Sequence, residues 1–205
     1  MDRAKYLDER EVKQLRTFTE HRALKDLAAG RVAGPMRWML VDLALQTGLR
    51  VGELAVLTIG DYNARRKALR VNRSKRRKPL AETMAVQPEL AEHLDSFIAW
   101  KATAGQPTGP ADSLFHGKRG PMGKEGLQAL WRKALADADL PKLSIHKARH
   151  TNAVALLRKT RNLRLVQKRL GHSSPAVTAN LYADIPFADE LDQVSGLYGD
   201  GQQTV

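Results

Sequence analysis

The chain has 205 residues, 42 % of them hydrophobic and 27 % charged, which makes one domain with a real core the expectation and argues against a disordered polyelectrolyte. It contains no cysteine, so disulfides, thiolate zinc sites and thiol nucleophiles are excluded, and no apolar run reaches the roughly 20 residues that cross a bilayer. Lys and Arg outnumber Asp and Glu by 34 to 22, an excess that suits a polyanionic partner, because neutralising phosphates releases their condensed counterions.

The N-terminal stretch lacks the apolar segment of a secretory signal, and a cytoplasmic protein is expected. In "YLDEREVKQLRTF", Asp8 stands as a helix N-cap with Glu11 three residues on, the pattern of a capping box, and Leu7 can staple against Val12. This helix is expected to end before "AGRVAGP". From Pro35, Met36, Met39, Leu40 and Leu43 recur at helical spacing as far as Gly48, and "RVGELAVLTIGDY" then opens a second helix at an angle to the first. Leu49 and Arg50 therefore fall at a helix junction.

Two short alternating segments follow, "KALRVN" and "ETMAVQP", separated by the basic "RSKRRKPLA"; together they read as a β-hairpin with a charged tip. Residues 64–79 hold nine basic side chains and no acid. Helices are expected over 88–103, 124–140, 145–159, 163–171 and 176–184, with a Gly/Pro-rich connection at 104–123 that carries one short strand at "SLFH". Trp38, Trp100 and Trp131 sit among Leu and Ala at helical spacing and are expected in the core, and Tyr6, Tyr62 and Tyr198 are expected to pack rather than react. Residues 158–169 add six basic side chains, whereas 183–205 hold five acids and no Lys or Arg. A nucleic-acid face with an acidic appendage is the expected charge plan.

The stretch "SIHKARHTNAV" carries the densest chemistry. His146 and His150 are four apart and share a helix face, and His172 could add a third metal ligand. Lys147 stands where a metalloprotease pattern needs Glu, however, and no acid lies between Asp139 and Asp184, so no metal is expected. A phosphate fits the same atoms better, since His146 and Arg149 are three apart and combine an imidazole with a planar guanidinium clamp. Arg50 follows a tight glycine turn with Glu53 one turn on, "RLGHSS" ends a helix at Gly171 and projects His172, and Tyr182 lies ten residues further.

Taken together and in this order, "TGLRVGEL", "HKARH", "LGHSS" and "LYA" resemble the tyrosine recombinase family, of the phage-integrase type, from about Leu7 to Asp184. The resemblance implies that family's catalytic fold, α+β and mostly α with a small antiparallel β-sheet, over residues 1–184. It implies catalytic roles for Arg50, Lys75, His146, Arg149, His172 and the nucleophile Tyr182, with Lys78 a rival to Lys75. Glu53 would support Arg50, and His150 would be structural. Arg73, Arg76, Arg77, Lys78, Lys147, Arg158 and Lys159 are the expected DNA contacts.

By this resemblance the protein is a site-specific recombinase that needs neither metal nor ATP, working as a homotetramer on two double-stranded DNA sites with possible bending or directionality factors. No G-x-x-x-x-G-K-[ST] loop is present, which agrees with that. Only 49 residues precede Arg50, so the N-terminal clamp domain of most members is expected to be missing, as in a single-domain recombinase or a fragment. In the tail 185–205, Phe187, Leu191, Val194 and Tyr198 form one apolar stripe, suited to exchange with a neighbouring protomer or to packing at home. A DNA-binding regulator and a nicking-closing enzyme akin to type IB topoisomerases are the rival functions.

Overall fold

A computed structural model describes residues 6–73 and 80–171. The expectations for Lys75, Arg76, Arg77, Lys78, His172 and Tyr182, for a helix at 176–184 and for the tail 185–205 fall outside these residues.

Helix α1 (Glu9–Ala28) begins as its sequence demands. Asp8 accepts from the Glu11 amide at 2.8 Å, and the Glu11 carboxylate accepts from the Asp8 amide at 2.9 Å, so the capping box closes. Leu7 is buried and Val12 packs against the same core, as a staple requires. Helix α2 (Ala33–Thr47) is buried almost all round, from Pro35 to Leu45 with Trp38 the partial exception. A helix apolar on every side belongs at the centre of a domain. Here α1 lies along it, with α4 (Pro88–Thr103), α5 (Lys124–Asp137) and α6 (His146–Thr160) also against it.

Two charged residues of this central helix are spent internally. Arg37 meets Asp137 at 2.5 Å, and Asp42 accepts from Arg16 at 2.7 Å and lies 2.7 Å from a ring nitrogen of His93. Each buried charge thus has a partner, the condition under which burial is tolerable.

The helix expected across "RVGELAVLTIGDY" is cut short. Helix α3 spans only Val51–Leu54, after which the backbone turns to pair with the 104–123 segment: the Leu114 amide donates to Leu57 O at 2.9 Å, and Thr58 bridges Ser113. Tertiary pairing overrides a weak helical preference in a stretch rich in β-branched residues. A 3-10 turn at Ile59–Asp61 leads into β1 (Tyr62–Asn63), which was not expected, and then β2 (Ala68–Arg73) and β3 (Leu80–Ala85) form the expected hairpin. The sheet is antiparallel in the order β1-β2-β3, with Tyr62 opposite Leu69 and Val71 opposite Glu82.

The 104–123 connection carries β4 (His116–Gly117) and β5 (Gly120–Pro121) as a second small hairpin, a little beyond the strand expected at "SLFH". It is fastened by Lys101, fully buried, whose ammonium donates to Ser113 O at 2.8 Å and Leu114 O at 3.0 Å. Trp131 is fully buried and donates to Leu143 O at 2.9 Å, while Trp38 and Trp100 lie at the core's edge. Tyr62 is buried with its hydroxyl donating to Ala91 O at 3.1 Å, a packing residue as expected. A second apolar cluster, Ala153, Val154, Leu157, Val166 and Leu170, joins α6 to α7 (Leu163–Leu170). Among the described residues no helix is long and apolar enough to cross a membrane.

Candidate active site

Two glycine-terminated helices set the geometry. Helix α2 ends at Gly48 and α7 at Gly171, both in the left-handed conformation at φ 64° and 63°, which favours glycine. Neither has room for a side chain: a Cβ on Gly48 would lie 2.8 Å from Leu170 Cδ2, and one on Gly171 would lie 3.0 Å from Arg73 Nε. The ends of α2 and α7 thus meet, and helix C-termini present unpaired carbonyls with partial negative charge.

Arg149, in the first turn of α6, is placed to use them. Its Nη1 donates to Gly48 O at 2.8 Å and its Nη2 to Leu170 O at 2.5 Å. Burial pushes its pKa down to about 10, helped by the charges of Arg50 and Arg73 and opposed by Glu53. It remains protonated at neutral pH, a cation held in a place that disfavours cations.

Arg50 is the N-cap of α3, with extended backbone at φ −68°, ψ 148°. Glu53, one turn on and 2 % exposed, accepts from the Arg50 amide at 2.8 Å and from Arg50 Nη1 at 3.0 Å. The same carboxylate accepts from Arg73 Nη1 at 3.0 Å. Glu53 thus touches Arg50 at both its backbone and its side chain. Removing one partner of such a buried network leaves uncompensated charge, so Glu53→Ala should lower unfolding free energy by about 3–5 kcal/mol. Chemical denaturation checks this; a loss under about 1 kcal/mol would mean that the carboxylate is not holding the arginines.

Arg73 requires a correction. It was expected among the DNA contacts, yet its side chain is 3 % exposed and fully engaged, donating to Glu53, to Glu82 Oε2 at 3.2 Å and to Arg169 O at 2.7 Å. The cause is strand alternation, which puts Leu69, Val71 and Arg73 on the inward face and Arg70 and Asn72 outward. Arg70 accordingly is exposed and donates to the buried carboxylate of Asp61 at 2.8 Å. Sequence reasoning missed Arg169 altogether. It donates to Ala85 O at 2.9 Å and Gln46 O at 3.2 Å, and burial followed by the Arg73 charge lowers its pKa. No spacing rule marks it, but its place one residue before Leu170, at the end of α7, puts it beside this cluster.

His146 is exposed at the first position of α6, three residues before Arg149. His150 is half-buried with its ring 5.6 Å from that of Tyr6, on the side of α6 that faces α1's entry, where the Leu7 amide donates to Thr151 Oγ1. Lys147 is half-buried, and Arg158 and Lys159 sit at the far end of α6, about 13 Å along the axis from Arg149. The structure therefore gathers Arg50, Glu53 and Arg149 and keeps Arg158 and Lys159 apart from them.

Four arginines, Arg50, Arg73, Arg149 and Arg169, gather here with two carboxylates, Glu53 and Glu82, which pair with Arg50 and Arg73. The surplus is positive, and of the four Arg50 is the one whose guanidinium meets a single described partner. Such a surplus of positive charge attracts anions. Among the described residues no group of three or more His, Cys, Asp or Glu could hold a metal ion.

Comparison with known proteins places the chain in a family. The phage integrase family model matches residues 5–188. Tyrosine recombinase XerD of Corynebacterium glutamicum is 33 % identical over 159 residues, covering 76 % of this chain and 50 % of the relative. Tyrosine recombinase XerC of Roseiflexus sp. (strain RS-1) is 28 % identical over 157 residues, with 76 % and 49 % covered. The chain thus spans about half the length of these curated relatives. A crystal structure of XerA recombinase superposes with a TM-score of 0.74 at 23 % identity, covering 93 % of this chain and 62 % of that one. The Tn1549 transposon integrase in complex with transposon right end DNA gives 0.71 at 20 % identity, covering 94 % and 66 %. These likenesses establish the fold, α+β and mostly α with a small antiparallel sheet. With the family model matched across nearly its whole length, this chain belongs to the phage integrase family.

Proposed function

We propose that this protein is a site-specific DNA recombinase that cuts and rejoins strands through a 3′-phosphotyrosyl intermediate, as in integration, excision or inversion. The observation that carries the reading is the convergence of Arg50 and Arg149 at the meeting of α2, α3, α6 and α7, with positive charge in surplus. Two guanidiniums suit the two non-bridging oxygens of a scissile phosphate, whose charge grows in the transition state.

Tyr182 attacks phosphorus, forming a P–O bond to the phenol while the bond to the 5′ oxygen breaks. A phenol of ordinary pKa about 10 is a weak nucleophile at neutral pH, and nearby cations favour its phenolate. His146 accepts the phenolic proton, His172 donates to a phosphate oxygen, and Lys75 protonates the departing 5′ oxygen so that it leaves as a hydroxyl. The phosphotyrosyl link keeps the phosphodiester bond energy, so a second 5′ hydroxyl reverses the step without ATP or metal. Lys147, Arg158, Lys159, Arg76, Arg77 and Lys78 hold the flanking backbone. The working unit is a homotetramer on two duplex sites, with accessory proteins choosing direction, in the cytoplasm on the nucleoid or a mobile element.

The products decide the class. Sites can be captured covalently from random-sequence duplexes and cloned as pairs in a supercoiled plasmid. Incubated in EDTA without nucleotide triphosphate, the protein should convert that plasmid into recombined circles. Relaxed topoisomers alone would replace the recombinase with a nicking-closing enzyme.

A further inference from the structure

Resting on the recombinase reading, the geometry points to Arg73 as a positioning residue for strand cleavage: one buried guanidinium ties together the three segments that carry the expected catalytic groups. Through Nη1 it reaches Glu53 Oε2 at 3.0 Å, and Glu53 holds both the amide and the guanidinium of Arg50. Through Nε it reaches Glu82 Oε2 at 3.2 Å, across the β2–β3 ladder. Through Nη2 it reaches Arg169 O at 2.7 Å. The next carbonyl, Leu170 O, goes to Arg149, so the two arginines divide the end of α7 between them.

Gly171 completes the fit. Its backbone rests on the Arg73 side chain, with an added Cβ falling 3.0 Å from Nε and 3.3 Å from Cδ and Cζ. In sequence, Arg73 precedes Lys75 by two residues and Gly171 precedes His172 by one. Arg73 therefore fixes the two backbone ends from which those residues depart, and the carboxylate that aims Arg50. A buried ion pair gives little net stability over apolar packing, so what this one supplies is relative placement. The three directions match the fork of a guanidinium, and a lysine ammonium, a point charge on a flexible stem, cannot reproduce them.

Two readouts on the full chain test this with Arg73→Lys. Amide hydrogen exchange needs no DNA: the Leu54, Ala55 and Gly171 amides should exchange at least about tenfold faster, while that of Leu94 in the core of α4 should not change. Single-turnover cleavage of a nicked duplex should slow by about 10²-fold with DNA affinity little changed, the penalty for a catalytic group displaced by about an ångström. Combined with Arg50→Lys, the two losses should fall well short of multiplying, because Arg73 acts through Arg50.

Unchanged exchange at 54–55 and 171, cleavage at the wild-type rate, or losses that multiply would each overturn the assignment. If the exchange signature appears but the wild type forms no DNA adduct, it is the recombinase reading that fails, not the tie. Glu82→Gln weakens the partly exposed link and repeats the test in a milder form should Arg73→Lys not fold.

Discussion

Replacing Arg149 by lysine should slow DNA cleavage by about 10²–10³-fold while leaving the domain folded, the size of loss seen when one preorganised donor to a developing oxyanion is removed. The stability side is a contest between opposed effects. Two charge-assisted bonds, to Gly48 O and Leu170 O, contribute about 1.5–3 kcal/mol each. Against them stands the cost of keeping a cation in a buried place beside Arg50 and Arg73. The depression of the Arg149 pKa to about 10 corresponds to roughly 3 kcal/mol of that cost.

A lysine keeps that cost and can still donate to one of the two carbonyls, so the net stability change should be about 1.5–3 kcal/mol, the worth of the one bond lost. Activity and stability therefore part company at this residue, as they should where a charge is held for a ligand rather than for the fold. Cleavage by Arg149→Lys within about threefold of wild type would remove Arg149 from the phosphate clamp.

That contest was only partly legible in the sequence. Local rules were enough for the Asp8–Glu11 capping box, for α4 over residues 88–103, and for the stop of α2 at Gly48. Each is decided within one or two turns of chain. The shortness of α3 was not visible, because Leu57 and Thr58 are claimed by the remote segment around Ser113 and Leu114. Strand β1 was missed because two residues are too few to show alternation.

The candidate site divides the same way. Arg50, Glu53, His146 and Arg149 stand in recognisable local patterns, and the structure brings Arg50, Glu53 and Arg149 to one place. The destination of Arg73 depends on which face of β2 turns inward, and its neighbours Leu69 and Val71 gave that answer by alternation. The basic run of 64–79 obscured it, since charge density draws attention to solvent and DNA while strand period assigns the buried face. Arg169 is different, for its partners Ala85 O and Gln46 O lie 84 and 123 residues away and leave no trace in local spacing.

In the proposed mechanism the reaction hangs on one phenol, that of Tyr182. Tyr182→Phe keeps the ring but removes the hydroxyl that the proposed mechanism bonds to phosphorus, so it should abolish covalent chemistry while leaving DNA binding in place. The loss should exceed that of any arginine substitution, because the arginines stabilise a transition state that here has no nucleophile. The most direct measurement uses nicked duplexes of random sequence, on which the strand end released by cleavage diffuses away and traps the enzyme. Wild type should leave a denaturant-resistant protein–DNA adduct, formed in EDTA, and Tyr182→Phe should leave none while still shifting the same DNA. An adduct that survives Tyr182→Phe, or none from wild type, would contradict the account.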